Sequence, residues 1–218
     1  FISMESHGLR NLALKALDET KFFPSKGKER LKSMIETRPD WCVSRQRVWG
    51  VPLPIFISKK NNKVLVDDEV FENIAKIYEK EGSDCWFSDD YQRFLGKKYK
   101  AEGYIQSKDI VEVWFDSGST HSFVLEKRDD LKWPASMYLE GSDQHRGWFH
   151  SSLLESCGTR GKAPFESILS HGFVVDGKGL KMSKSLGNVI APEEILKKYG
   201  ADILRIWVAA SNYAEDLR

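Results

Sequence analysis

Leu9, Leu12, Ala13, Ala16 and Leu17 recur at three- and four-residue intervals. That spacing gathers apolar side chains on one helical face, so the chain is expected to open with an amphipathic helix. Leu31, Met34 and Ile35 repeat the pattern more briefly. The second helix should stop before Pro39, because the residue ahead of a proline disfavours the helical region. From Trp41 to Ile57 the chain is apolar and aromatic but split by Pro52 and Pro54. Prolines cannot donate to a strand ladder, so an irregular, partly buried segment is expected there. Lysine, aspartate and glutamate dominate 58–108, with one helical face at Phe71, Ile74, Ala75 and Tyr78; this stretch reads as a small inserted subdomain. Beyond it, short apolar runs (Val111 to Phe115, Met137 to Leu139, Ile168 to Leu169, Phe173 to Val175) alternate with helical patterns such as Phe149, Leu153 and Cys157. Short strands alternating with helices predict an α/β layer with a parallel sheet. Asp176-Gly177-Lys178-Gly179 suits a tight turn. The last helix should open near Pro192 and break or bend near Gly200.

Composition changes this picture little. Of 218 residues, 41% are hydrophobic and 30% charged, the profile of an ordinary globular protein. Lysine plus arginine (33) nearly balances aspartate plus glutamate (32), so a nucleic-acid surface would have to come from local clustering. Cys42, Cys85 and Cys157 form no C-x-x-C pair, so neither a disulfide framework nor a zinc site is expected; separate thiols suit a reducing cytoplasm. No apolar run approaches the roughly 18 residues that would suggest a membrane span, and no signal peptide is recognisable. The chain starts at Phe1 without an initiator Met and ends at Arg218 just past an apolar helical stretch. It is therefore expected to be a piece of a longer protein.

Four segments carry candidate chemistry. Gly179 to Asn188 holds Lys181-Met182-Ser183-Lys184-Ser185, two lysines interleaved with serines and flanked by glycines. Such a mobile cationic loop can close over a polyphosphate and offset charge that develops as phosphate bonds break; a solvated basic surface loop has the same composition. Tyr138 to Phe149 reads YLEGSDQHRGWF and falls where a short strand gives way to a helix. Ligands of open α/β sheets bind outside the carboxyl ends of the strands. Gly141 would let a ligand approach the backbone, and Glu140 and Asp143 are placed to accept hydrogen bonds from hydroxyls or an amine. Asp143 would equally serve as a helix N-cap. Trp114, at the end of another predicted strand, and Trp148 either wall a small apolar pocket or belong to the core. Arg38 to Pro52 mixes cations with tryptophans, as in a nucleic-acid contact or a salt-bridged corner.

In this order the segments resemble the isoleucyl-tRNA synthetase family, within the class I aminoacyl-tRNA synthetases. Lys181 to Ser185 reads KMSKS, the second class I signature. WCVSRQRVWGVPLPIF (Trp41 to Phe56), VWFDSGSTH (Val113 to His121) and YLEGSDQHRGWF look like the isoleucine branch. The resemblance covers Phe1 to Arg218. It implies the second half of a Rossmann-like catalytic domain: a helical return segment over 1–57, the insertion over 58–108, the sheet over 109–179, and the KMSKS loop with a following helical segment over 180–218. It further implies ATP-dependent activation of isoleucine to isoleucyl adenylate, then transfer to tRNA-Ile, by a monomeric cytoplasmic parent. By carry-over, Lys184 contacts the ATP phosphates with Lys181 assisting. Glu140, Gly141 and Asp143 hold the adenylate around its ribose, and Gln144 reaches its amino-acid end. His171 and Phe173 lie by the adenine, and Trp114 and Trp148 line the isoleucine pocket. Magnesium is expected with ATP, with no carboxylate cage of its own in this segment. None of the five histidines stands in an H-I-G-H-like sequence, so the other class I signature is not here, nor is an editing domain. The isolated chain is therefore expected not to form adenylate. The rival readings are the valine branch and a non-catalytic adenylate- or tRNA-binding module.

Overall fold

A computed structural model describes all 218 residues. In chain order the elements are α1 (Leu9–Glu19), β1 (Lys21–Phe23), α2 (Lys26–Glu36), β2 (Ser44–Arg45), β3 (Phe56–Ser58), α3 (Asp68–Glu81), α4 (Gln92–Leu95), β4 (Tyr104–Gln106), β5 (Ile110–Val111), α5 (Val113–Gly118), β6 (Tyr138–Gly141), α6 (Trp148–Arg160), β7 (Ser167–His171), α7 (Pro192–Tyr199) and α8 (Ala201–Ala210). They fall into two compact units, one of residues 1–3 and 40–116, the other of 4–39 and 117–218.

The first unit contains the charged 58–108 stretch and folds around an aromatic core. Phe56, Trp86 and Phe94 are fully buried, with ring centroids of Phe56–Trp86 and Trp86–Phe94 each 5.0 Å apart. Burying such side chains contributes about 1.5–3 kcal/mol each. Two antiparallel pairs, β2 with β5 and β3 with β4, frame it. Asp67 starts α3 by accepting hydrogen bonds from the N–H groups of Glu69 and Val70. Asn73 ties α3 to α4, its amide donating to the carbonyls of Arg93 (2.7 Å) and Phe94 (2.9 Å). The indole N–H of Trp86 donates to Ser107 O at 2.8 Å, which satisfies the one polar atom of an otherwise apolar group.

The second unit holds a parallel sheet in the order β1-β7-β6, with β6, α6 and β7 forming a βαβ crossover. α1 buries Leu9, Ala13, Ala16 and Leu17, while Leu12 stays exposed at the rim of the apolar face. α2 buries Leu31 and Ile35. α6 is buried from Phe149 through Cys157, polar residues included. That explains why its apolar pattern is weaker in sequence than in space: Ser151, Ser152 and Ser156 take interior positions where small size matters.

Two strand expectations need correction, and one strand was not anticipated. Ile110–Val111 is extended, but the chain then turns helical, so Trp114 and Phe115 lie in α5 and not in a strand. Phe173 to Val175 forms only isolated bridges, Val174 with Leu217 and Val175 with Lys181. β1 was not anticipated; three residues between two helices are too few to show a period of two. At the other end, α7 opens at Pro192, and Gly200 (φ +80°) breaks the chain into α8.

Candidate functional site in the parallel-sheet unit

β6 and β7 lie in register, Glu140 opposite Ser170 and Gly141 opposite His171. The carboxyl ends of two adjacent parallel strands therefore bring Glu140, Gly141 and Asp143 beside His171. In open α/β sheets this is the end at which ligands bind. The φ of Gly141 is −65°, open to any residue, so space and not backbone angle demands glycine there. A Cβ on Gly141 would stand 2.8 Å from Asp143 Oδ1 and 3.6 Å from His171 Cε1. The carboxylate and the imidazole thus converge over the glycine. Both carboxylates, Glu140 and Asp143, are exposed and accept no hydrogen bond from the rest of the chain.

Asp143 does not cap α6. The chain makes a short 3-10 turn over Ser142–His145, and Gln144 takes the capping role, its Oε1 accepting from Trp148 N–H at 2.9 Å. The Gln144 carbonyl is thereby committed to the backbone. Trp148 lies flat on Tyr138, with centroids 4.0 Å apart and planes at 1°, and donates its indole N–H to Ser117 O at 2.9 Å. Its position is held by its own unit. Trp114 belongs to the other unit, where it is partly exposed.

Sequence reasoning did not single out His145. It is buried, and its Nδ1 lies 2.7 Å from Ser142 O, which pins the turn that follows β6. Burial lowers the pKa of this imidazole. A cavity of about 440 Å3 opens at the same strand ends, lined by Lys26, Arg30, His145, Ser170, His171 and Asp216 among others. Of the anticipated residues, His171 alone reaches it.

Past β7, Phe173 N–H donates to Asp216 Oδ1 at 2.7 Å, and the Phe173 ring lies under Lys181, whose Nζ is 4.8 Å from the ring centroid. The turn expected at Asp176 to Gly179 is present: Asp176 N–H donates to Leu180 O (2.9 Å) and Gly179 N–H to Asp176 O (2.8 Å). Ser183 caps a one-turn 3-10 helix over Lys184–Leu186, its Oγ accepting from Leu186 N–H. Lys184 is exposed and pairs with no carboxylate. Met182 lies partly buried, its sulfur 3.5 Å from Ile190 N, and the hydroxyls of Ser183 and Ser185 are 3.1 Å apart. No group of three or more His, Cys, Asp or Glu side chains is gathered to hold a metal ion. No helix is long and apolar enough to cross a membrane.

In the first unit, Trp41 to Pro52 includes a corner built on one arginine. Arg45 builds a corner, its Nη1 donating to the carbonyls of Cys42 (2.7 Å) and Ser44 (2.8 Å) and its Nη2 3.9 Å from Glu112. Arg47, Val48 and Trp49 point outward, Trp49 being 92% exposed.

The chain is 84% identical to an isoleucine--tRNA ligase of Pelagibacter ubique over all its 218 residues, which span 24% of that protein. It is 60% identical to an isoleucine--tRNA ligase of Brucella abortus over 211 residues, 96% of this chain and 22% of the relative. Among solved structures, Mycobacterium tuberculosis methionyl-tRNA synthetase in complex with methionyl-adenylate superimposes with a TM-score of 0.60 at 19% identity, over 97% of this chain and 33% of that one. The Agrobacterium radiobacter LeuRS of a ternary complex with tRNA and LeuAMS gives 0.58 at 20% identity, over 82% and 25%. These two establish a shared fold. The sequence profile described as tRNA synthetases class I (I, L, M and V) matches residues 1–218, and the chain belongs to that family.

Proposed function

We propose that this chain supplies part of the catalytic domain of an isoleucine–tRNA ligase, the part that grips the adenylate and the ATP phosphates. One observation carries the reading. The Asp143 carboxylate and His171 imidazole converge over Gly141 at the ends of adjacent parallel strands, and the chain leaving β7 runs directly into a loop that presents an unpaired lysine. The relatives named above favour isoleucine over valine as the substrate.

In this reading, Glu140 and Asp143 accept hydrogen bonds from the ribose hydroxyls, and Gly141 lets the sugar settle against the backbone. Gln144 offers its amide N–H to the amino-acid end. His171 and Phe173 flank the adenine. Lys184, assisted by Lys181, neutralises charge on the phosphates as isoleucine attacks the α-phosphate and pyrophosphate leaves. Trp148, fixed by Tyr138 and Ser117, lines the isoleucine pocket. Magnesium would arrive on the phosphates of ATP. Catalysis then rests on positioning and electrostatics, and orientation alone supplies up to about 7–11 kcal/mol.

The test is a graft of these 218 residues into the Pelagibacter ubique relative in place of its own. Lys184→Ala in the graft should lower the ATP–pyrophosphate exchange rate with isoleucine by about 10²–10³, the scale of losing one preorganised charge stabiliser. A loss under about threefold would remove the loop from the chemistry. Preference of the graft for valine over isoleucine would reassign the substrate.

A further inference from the structure

Two side chains outside the five-residue motif tie the neck of the lysine loop. Asp176, at its start, uses Oδ1 to accept the backbone N–H groups of Lys178 and Leu180, both at 2.9 Å. Its Oδ2 accepts the amide N–H of Asn188 at 2.9 Å. Asn188, at the far end, uses Oδ1 to accept Ser183 N–H at 2.9 Å, and its Nδ2 also reaches Lys181 O at 3.3 Å. Gly187 adopts φ +65°, a left-handed turn that brings the chain back to make this contact. A single amide therefore spans the loop, joining both flanks of Met182 to the turn that precedes the motif. The Asn188 hydrogen bond is also the leading reason that the Asp176 carboxyl lies below the usual carboxylate range, followed by the backbone N–H of Leu180. The neck is cross-braced, while Lys184 at the tip has no partner.

We propose that Asp176 and Asn188 are positioning residues, which hold the loop in one shape so that the Lys184 ammonium reaches the phosphates at a fixed place. Neither need touch the substrate. The inference rests on the phosphate-handling role given to Lys184 above. The physical reason for such a clamp is that a charge stabilises a transition state best when it need not be reoriented at the moment of reaction, and an eleven-residue excursion between Asp176 and Asn188 has too few apolar contacts to hold itself.

The experiment is a double-mutant cycle on the grafted synthetase, read by ATP–pyrophosphate exchange. Asn188→Ala should lower kcat about 10–100-fold while leaving KM for isoleucine within about twofold. In the Lys184→Ala background the same change should cost less than about threefold, because the group it positions is gone. Asn188→Asp should be as damaging as Asn188→Ala, since it sets two carboxylates against each other. Exchanging the pair, Asp176→Asn with Asn188→Asp, reverses the hydrogen bond and keeps an acceptor for Ser183 N–H. The exchanged pair should return to within about fivefold of the parent. Equal cost of Asn188→Ala in both backgrounds, or an exchanged pair no better than Asn188→Asp, would overturn the proposal. If Lys184→Ala is severe and Asn188→Ala silent, positioning alone fails. If Lys184→Ala is itself silent, the phosphate-handling reading fails and takes the clamp's role with it.

Discussion

His150 makes the folded second unit sensitive to acid in a way that can be calculated. It sits inside α6, 3% exposed, with neither ring nitrogen hydrogen-bonded, and burial takes its pKa from the ordinary 6.5 down to about 3, with the nearby cations of Arg38 and Arg146 pushing the same way and the His145 backbone opposing weakly. A base whose folded pKa is depressed is protonated first in the unfolded chain. Its contribution is therefore complete above the unfolded value near 6.5 and is lost progressively as pH falls toward 3. Between pH 7 and pH 4 roughly 2.5 pH units of that window are crossed, at about 1.4 kcal/mol each, so the expected loss is on the order of 3 kcal/mol. That is a large part of the roughly 5–15 kcal/mol by which domains are stable. The assay is urea unfolding of the purified chain at pH 7 and pH 4, alongside His150→Gln, which has similar bulk and no proton to take up. His145 and His121 are also lowered by burial but remain in both proteins, so their effects cancel in the difference. The variant should lose about 3 kcal/mol less than the parent between the two pH values. Equal losses would show that His150 is protonated or solvated in the folded state, and the reasoning fails.

Other outcomes follow from the site and the two cores. In the grafted synthetase, Asp143→Ala should weaken ATP binding more than isoleucine binding, measured by equilibrium titration; equal weakening of both would undo the ribose assignment. Gly141→Ala should displace the Asp143 carboxylate that stands 2.8 Å from the new methyl group and weaken ATP by about tenfold. Thermal unfolding of that variant should stay close to the parent's, since an exposed carboxylate can swing aside. Phe94→Ala empties a fully buried position in the first unit and should cost about 3–5 kcal/mol in urea unfolding. A change under about 1 kcal/mol would mean that this unit is not organised around its aromatic core.

Sequence alone determined most of the longer helices. α1, α2, α3 and α6 follow from apolar spacing, and Pro192 and Gly200 mark α7 and the break before α8 because their backbone preferences act locally. The turn at Asp176 to Gly179 was legible for the same reason: it is a short run whose geometry does not depend on distant partners. Tertiary structure decided what depends on packing. β1 becomes a strand only because β7 offers it an edge, and Trp114 is helical although its neighbours are apolar enough for a strand. The capping of α6 passes from Asp143 to Gln144 because a 3-10 turn intervenes, which leaves the Asp143 carboxylate exposed. His145 and His150 look like ordinary polar residues until burial strips them of water. The brace between Asp176 and Asn188 joins residues twelve apart whose contact exists only once Gly187 has reversed the chain. Spacing records what a residue is near along the chain, and only the fold records what excludes water from it and what it is left to hold.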